Sequence, residues 1–183
     1  SQEGLYQHFK AIAEASPVPV VLYNVPGRTG VNMNAETTLR LARDFDNIVA
    51  IKEASGNITQ MDDIIKNKPD NFDVISGDDG ITFPLITLGA VGVISVIGNA
   101  LPAEFSRMVR MALNGDYEHA RIIHHKFAEL FKLLFVDGNP AGVKAMLHAM
   151  GMIDHQLRLP LVPTLLTTME KISAILKELD IRY

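Results

Sequence analysis

The sequence predicts an α/β fold built on parallel strands. Three observations carry that expectation. Short apolar runs rich in β-branched residues alternate with stretches of helical periodicity, four times in succession. The first run is continuously apolar, as in a strand covered on both faces. The segments joining one run to the next are long enough for the helical crossover that parallel pairing requires.

Residues 2–14 read as a helix with Leu5, Phe9 and Ile12 on one face, ended by Ser16-Pro17. Val18 to Val25 follows as a strand, too short and too β-branched for a helix, and Pro26-Gly27-Arg28-Thr29-Gly30 closes it as a loop. Residues 35–45 form a helix with Ala35, Leu39 and Ala42 on one side, and Ile48 to Ala54 is the second strand. A short helix over 58–66 and a turn at Pro69-Asp70-Asn71 lead to a third strand, Asp73 to Ser76. Gly77-Asp78-Asp79-Gly80 ends it, residues 81–88 are helical despite Pro84, and Gly92 to Ile97 is the fourth strand. A helix with Pro102 in its first turn then turns Phe105, Met108, Val109 and Ala112 inward.

Beyond that point the pattern is helical only. Residues 116–135 bury Ala120, Ile123, Phe127, Leu130 and Leu134. Asn139-Pro140 starts a helix that runs through Met150, and a last one near 164–179 buries Leu165, Met169, Ile172, Leu176 and Leu179. No low-complexity linker interrupts the chain, so a single domain is expected.

Composition narrows the function. The 183 residues suffice for a sizeable core, and 48% hydrophobic with 21% charged is ordinary for a soluble protein. Lys plus Arg is 17 against 21 Asp plus Glu, a net charge of −4 with no basic tract, which argues against a nucleic-acid partner. Cysteine is absent, which removes disulfides, thiolate nucleophiles and Cys-type metal sites. No apolar run reaches the roughly 20 residues that cross a bilayer, so no membrane partner is expected. Ser1-Gln2-Glu3-Gly4 is polar and unlike a signal peptide, and a chain without an initiator Met is expected to be part of a longer one.

Two α/β architectures fit this pattern. A doubly wound sheet is complete at this length, whereas a (β/α)₈ barrel needs roughly 250 residues, of which four strand–helix units supply half. Periodicity leaves both open; the residues at the strand ends bear on the choice.

Lys52 stands near the carboxyl end of the apolar run Ile48-Val49-Ala50-Ile51-Lys52-Glu53-Ala54. On a strand it shares a side with Ile48, Ala50 and Ala54. A lysine among small apolar neighbours is expected to be desolvated and to carry a neutral amine, which attacks carbonyls to form a Schiff base. The plainer alternative lays its stem along the sheet with the ammonium in water. Tyr23 holds the equivalent place in the preceding strand, where its phenol can relay protons or serve as an ordinary core hydroxyl. Arg28 follows in a glycine-flanked loop, placed to clamp a carboxylate or simply to face solvent.

Other motifs carry less. Asp78-Asp79 makes a weak magnesium signal and a better Asx-type turn. The glycines at 89, 92 and 98 lack dinucleotide spacing, and there is no P-loop. His124, His125 and His148 lack zinc-protease spacing and read as ordinary helix histidines, and the methionines fall at core positions.

Four segments in order, Tyr23-Asn24-Val25-Pro26-Gly27-Arg28-Thr29-Gly30, Ile51-Lys52-Glu53-Ala54-Ser55-Gly56-Asn57, Ser76-Gly77-Asp78-Asp79 and Gly92-Val93-Ile94-Ser95-Val96, resemble the signatures of the dihydrodipicolinate synthases. Asn139-Pro140 with Lys144 is similar to that family's pattern at the start of an extension helix. These are pyruvate-dependent class I aldolases with a (β/α)₈ TIM barrel and a helical C-terminal extension. The resemblance implies a partial barrel: four parallel strands, corresponding to strands 5–8, over 1–115, with the helical extension packed on it over 116–183.

The resemblance also implies roles. Lys52 would form the Schiff base with pyruvate and Tyr23 would shuttle protons. Arg28 would bind the carboxylate of aspartate 4-semialdehyde, and Gly77 and Ile94 would line the pyruvate pocket. No metal or organic cofactor is implied. Members are cytoplasmic, mostly homotetrameric, and serve lysine and diaminopimelate biosynthesis. The family's Gly-Thr-Thr-Gly-Glu segment, whose threonines hold the pyruvate carboxylate, is absent from these residues, so the chain is expected to match the C-terminal portion and to be inert alone. The rival readings are another pyruvate-dependent aldolase such as an N-acetylneuraminate lyase, which would lack Arg28, a non-catalytic half-barrel scaffold, and a doubly wound nucleotide binder, disfavoured by the missing glycine fingerprint.

Overall fold

A computed structural model gives the fold, and residues 1–181 are described. In chain order the elements are α1 (Gln2–Ala15), β1 (Val20–Asn24), α2 (Pro26–Thr29), α3 (Ala35–Asp44), β2 (Ile48–Glu53), α4 (Ile58–Asn67), β3 (Asp73–Ser76), α5 (Asp79–Leu88), β4 (Gly92–Val93), α6 (Pro102–Leu113), α7 (Tyr117–Val136), α8 (Ala141–Ala149) and α9 (Leu166–Glu178). A 3₁₀ turn, Ile97–Asn99, lies between β4 and α6. The four strands pair in parallel in the order β1-β2-β3-β4, with helices in the crossovers, as the alternating pattern predicts. The arrangement is that of a partial α/β barrel.

The residues group into two compact units, Ser1–Ile94 with Ala112–Gly115, and Ser95–Met111 with the residues from Asp116 on. This differs from the 1–115 and 116–183 division by the segment 95–111, which groups with the helices.

In the first unit one core joins the sheet to its helices. Leu22 of β1 and Ile51 of β2 pack with Leu39 and Leu41 of α3, Ile64 of α4, and Phe72 and Val74 at β3. Full burial of side chains this size contributes about 1.5–3 kcal/mol each, enough to set which face of the sheet the helices cover. The helices are held in phase by their ends. Asn34 and Asn57 accept from Thr37 N and Gln60 N as N-caps of α3 and α4. Tyr6 Oη donates to Asp44 Oδ2 at 2.7 Å, and the Arg40 guanidinium lies 3.4 Å from the Tyr6 ring centroid, which ties α1 to α3. Pro84 sits inside α5 without ending it.

The structure corrects several expectations here. α1 buries Tyr6 and Ala13, with Leu5 and Phe9 partly covered, while Ile12 is exposed; the buried stripe runs one residue to the side of the expected one. Residues 26–29 form a single helical turn rather than a loop, because Pro26 starts it and Gly30, at φ +71°, ends it in the left-handed region. β1 is not covered on both faces: Leu22 and Asn24 are buried, but Val21 is 47% and Tyr23 46% exposed. The fourth strand is two residues, not six, and the chain then turns into the 3₁₀ segment. Among the described residues β4 pairs with β3 alone, so its β-branched run meets a ladder on one side only.

In the second unit α7, α8 and α9 pack on one another. The faces of α6 and α7 meet edge-to-face through Phe105 and Phe131, with centroids 5.8 Å apart. All five α7 residues expected inside are buried. In α9 Ile172 and Leu176 are buried as expected, and Met169 and Leu179 partly so. Leu165 is 65% exposed, because it is the extended N-cap residue and lies outside the helical stripe; Thr168 is buried instead.

Candidate active site

Strand register decides which side chains meet at the carboxyl ends of β1, β2 and β3. Tyr23 pairs with Lys52, and Asn24 pairs with Glu53. Successive residues of a strand face opposite sides, so Tyr23 and Lys52 share one face while Asn24 and Glu53 share the other. Lys52 Nζ lies 4.2 Å from the Tyr23 ring centroid, within cation–π reach. The predicted burial of this amine is not met in the described residues: Lys52 is only partly covered. Its strand neighbours Ala50 and Ala54 are too short to close over it.

Gly77 gives the lysine stem its room. A Cβ there would stand 2.7 Å from Ala54 Cβ, 3.1 Å from Glu53 O and 3.2 Å from Lys52 Cε. The turn after β3 therefore approaches β2 as closely as it does because residue 77 has no side chain. Gly77 N donates to Glu53 O at 2.8 Å and extends the β2–β3 ladder one residue past β3. Ile94 continues it: its N donates to Ser76 O at 3.0 Å, and its side chain is 48% exposed. Arg28 stands in the α2 turn just past β1, exposed, with its N donating to Val25 O at 2.8 Å. The structure thus brings Tyr23, Lys52 and Gly77 together, sets Ile94 at the adjoining strand end, and puts Arg28 in the turn that leaves β1.

A second set of residues lies behind this face, and sequence reasoning missed it. Glu53, Asn24 and Gln60 form a polar network on the helix side of the sheet. The available signal was two polar residues at matching places in adjacent apolar strands, both on the face opposite the Tyr23–Lys52 pair.

Asp78 forms the expected Asx turn, its Oδ1 accepting from Gly80 N at 2.8 Å at the start of α5, and Asp79 is buried. Among the described residues no three His, Asp or Glu side chains are grouped so as to hold a metal ion. No helix among them is long and apolar enough to cross a membrane. The histidines lie in the second unit or on α1. His124 sits on α7 beside His125 and Phe131, with ring centroids 5.5 and 5.6 Å away, and burial, with His125 second, holds its pKa below the ordinary value. His148 stacks on His155 at 5.7 Å.

Comparison with known proteins agrees with this fold. The dihydrodipicolinate synthetase family model matches residues 1–179. A 4-hydroxy-tetrahydrodipicolinate synthase of Phocaeicola vulgatus is 81% identical over 182 residues, covering 100% of this chain and 61% of that relative. One from Parabacteroides distasonis is 75% identical over 182 residues, again covering 61% of its length. The crystal structure of dihydrodipicolinate synthase from Thermotoga maritima superposes with a TM-score of 0.94 at 45% identity, covering 97% of this chain and 61% of that one. A dihydrodipicolinate synthase structure from Aquifex aeolicus gives 0.95 at 40% identity.

Four parallel strands with helical crossovers, superposing on dihydrodipicolinate synthase structures, define an α/β protein of the barrel class, with Lys52 and Tyr23 side by side at the strand ends. The chain belongs to the dihydrodipicolinate synthetase family. It spans about 61% of the length of the relatives it matches.

Proposed function

We propose that these residues are part of an enzyme that condenses pyruvate with L-aspartate 4-semialdehyde to give 4-hydroxy-tetrahydrodipicolinate, on the route to diaminopimelate and lysine. The observation that carries the reading is the Lys52–Tyr23 pair, in register on adjacent strands with the amine 4.2 Å from the phenol ring. The Lys52 amine adds to the pyruvate ketone, water leaves, and an iminium remains. Loss of a C3 proton gives an enamine, which attacks the aldehyde carbon; the product then cyclises and frees the lysine. Tyr23 hands protons to and from the carbinolamine during imine formation. Arg28 takes the carboxylate of the second substrate as a bidentate guanidinium partner. Gly77 and Ile94 line the pyruvate pocket. The reaction calls on no metal or organic cofactor, since the lysine itself supplies the electron sink.

The rest of the reading concerns the whole protein: a cytoplasmic homotetramer of which the present chain alone is inert. What supports the inertness is the lack, within these residues, of the Gly-Thr-Thr-Gly-Glu segment that the family resemblance assigns to the pyruvate carboxylate.

Borohydride reduction in the presence of pyruvate tests the assignment. The full-length protein should gain a reduced pyruvyl adduct at Lys52, and Lys52→Ala should gain none. An adduct of unchanged yield in Lys52→Ala would overturn it. Substrate identity is read by condensation with aspartate semialdehyde against cleavage of N-acetylneuraminate, and turnover of the latter alone would favour the lyase branch.

A further inference from the structure

Glu53 is 0% exposed, adjacent to Lys52 in sequence, and takes no part in the reaction as proposed. A carboxyl group out of water persists only where donors surround it. Asn24 Nδ2 reaches both of its oxygens at 3.1 Å, Gln60 Nε2 reaches Oε2 at 3.1 Å, and Ser55 N donates to Oε1 at 2.7 Å. Asn24 is itself buried and carries the network onward. Its Oδ1 accepts from Met33 N at 3.0 Å, and its Nδ2 also lies 2.9 Å from Asn32 Oδ1. Gln60 Nε2 closes the circuit on Met33 O at 3.1 Å.

The end of β1, where Tyr23 precedes Asn24, and the first turn of α4, at Gln60, therefore converge on the buried carboxyl group that follows Lys52 at the end of β2. The stretch at 32–33 that follows the Arg28 turn braces Asn24 and Gln60 in turn. Past the last rung of the β1–β2 ladder at Asn24 and Glu53, one backbone bond, Ala54 N to Asn24 O at 2.9 Å, joins the strand ends, and the side-chain network adds to it. We infer that Glu53, acting through Asn24, is a positioning residue that fixes Lys52 relative to Tyr23. The inference rests on the proposed reading of that pair as the reacting one. A misplacement of about 1 Å at a reacting group can cost about 100-fold in rate, so loss of the tie should appear in turnover.

The test uses the full-length protein. Glu53→Gln keeps the shape but turns one acceptor into a donor facing the amides of Asn24 and Gln60. It should lower kcat at least about tenfold while KM for pyruvate stays within about twofold. Gln60→Leu, which removes one donor and leaves the Asn24 bonds, should lower kcat about threefold and serves if Glu53→Gln does not fold. Unchanged kcat in folded Glu53→Gln or in Gln60→Leu overturns the inference, as does a loss carried by KM for pyruvate with kcat unchanged. Borohydride trapping of the parent separates the two ideas. No pyruvyl adduct at Lys52 removes the underlying reading and this inference with it, whereas a normal adduct beside an unaffected Glu53→Gln removes this inference alone.

Discussion

Residue 77 shows how a missing side chain can make room for a long one. The Lys52 stem runs against its bare Cα, and a methyl there would meet Ala54, the Glu53 carbonyl and Lys52 Cε together. Ala54 Cβ and the Glu53 carbonyl are both fixed by the backbone of the β2 end, so that strand end or the turn after β3 must shift, and the lysine stem with it. Gly77→Ala in the full-length protein should therefore slow pyruvyl-adduct formation at least about tenfold, read by timed borohydride quenching; an unchanged rate would show that the stem has other room. Tyr23→Phe should leave the adduct able to form but lower kcat by about 100-fold or more, measured in the condensation assay, because the ring stays and the proton donor goes. The Lys52–Tyr23 pair was legible in the sequence because strand alternation and parallel pairing put equivalent positions side by side. Glu53 was not, since Lys52-Glu53 at a strand end reads equally well as two solvated charges. Its burial depends on Asn24 and Gln60, which lie 29 and 7 residues away.

Local period fixes the buried face of a long helix better than that of a short strand or a helix at the edge of the core. α7 shows the first case: its apolar spacing selects the buried face without help. β4 shows the second. Val93, Ile94 and Val96 have strand-forming side chains, yet Ser95 Oγ accepts from Gly98 N at 2.8 Å and draws the chain into a 3₁₀ turn. Propensity cannot foresee that a strand has only one neighbour. At the α7–α8 junction Gly142 is required by close approach, since a Cβ would stand 2.6 Å from Leu134 Cα. Gly142→Ala should lower stability by about 1–3 kcal/mol in denaturant melts, as overpacking against backbone does. α7 also carries a titration. Burial, then the neighbouring His125, lowers the His124 pKa, so the unfolded chain takes up the proton first as pH falls below about 6.5. Stability contributed by neutral His124 is complete above that value and is lost as pH drops through the window. Tm should fall between about pH 7.5 and about pH 5.5, and His124→Phe should flatten the fall; equal slopes in both proteins would refute it.

At the scale of the whole molecule the exposed face of the sheet governs what the chain can do. Val21, Tyr23 and Ile94 all stand open on the side that carries Lys52. An amine so placed keeps contact with water, whereas Schiff-base lysines work best when desolvated. The isolated 183 residues should accordingly show no turnover of pyruvate with aspartate semialdehyde under conditions where the full-length protein is active, and measurable turnover would contradict this. The pairing of β1 with β2 has a consequence of its own. Were β2 to slide by a single position, every side chain would swap faces. The amine would be driven into the oily helix layer, a desolvation cost, and the Glu53 carboxyl group would turn away from the Asn24 and Gln60 amides. The polar residues at these strand ends thus favour one register of the sheet that displays them.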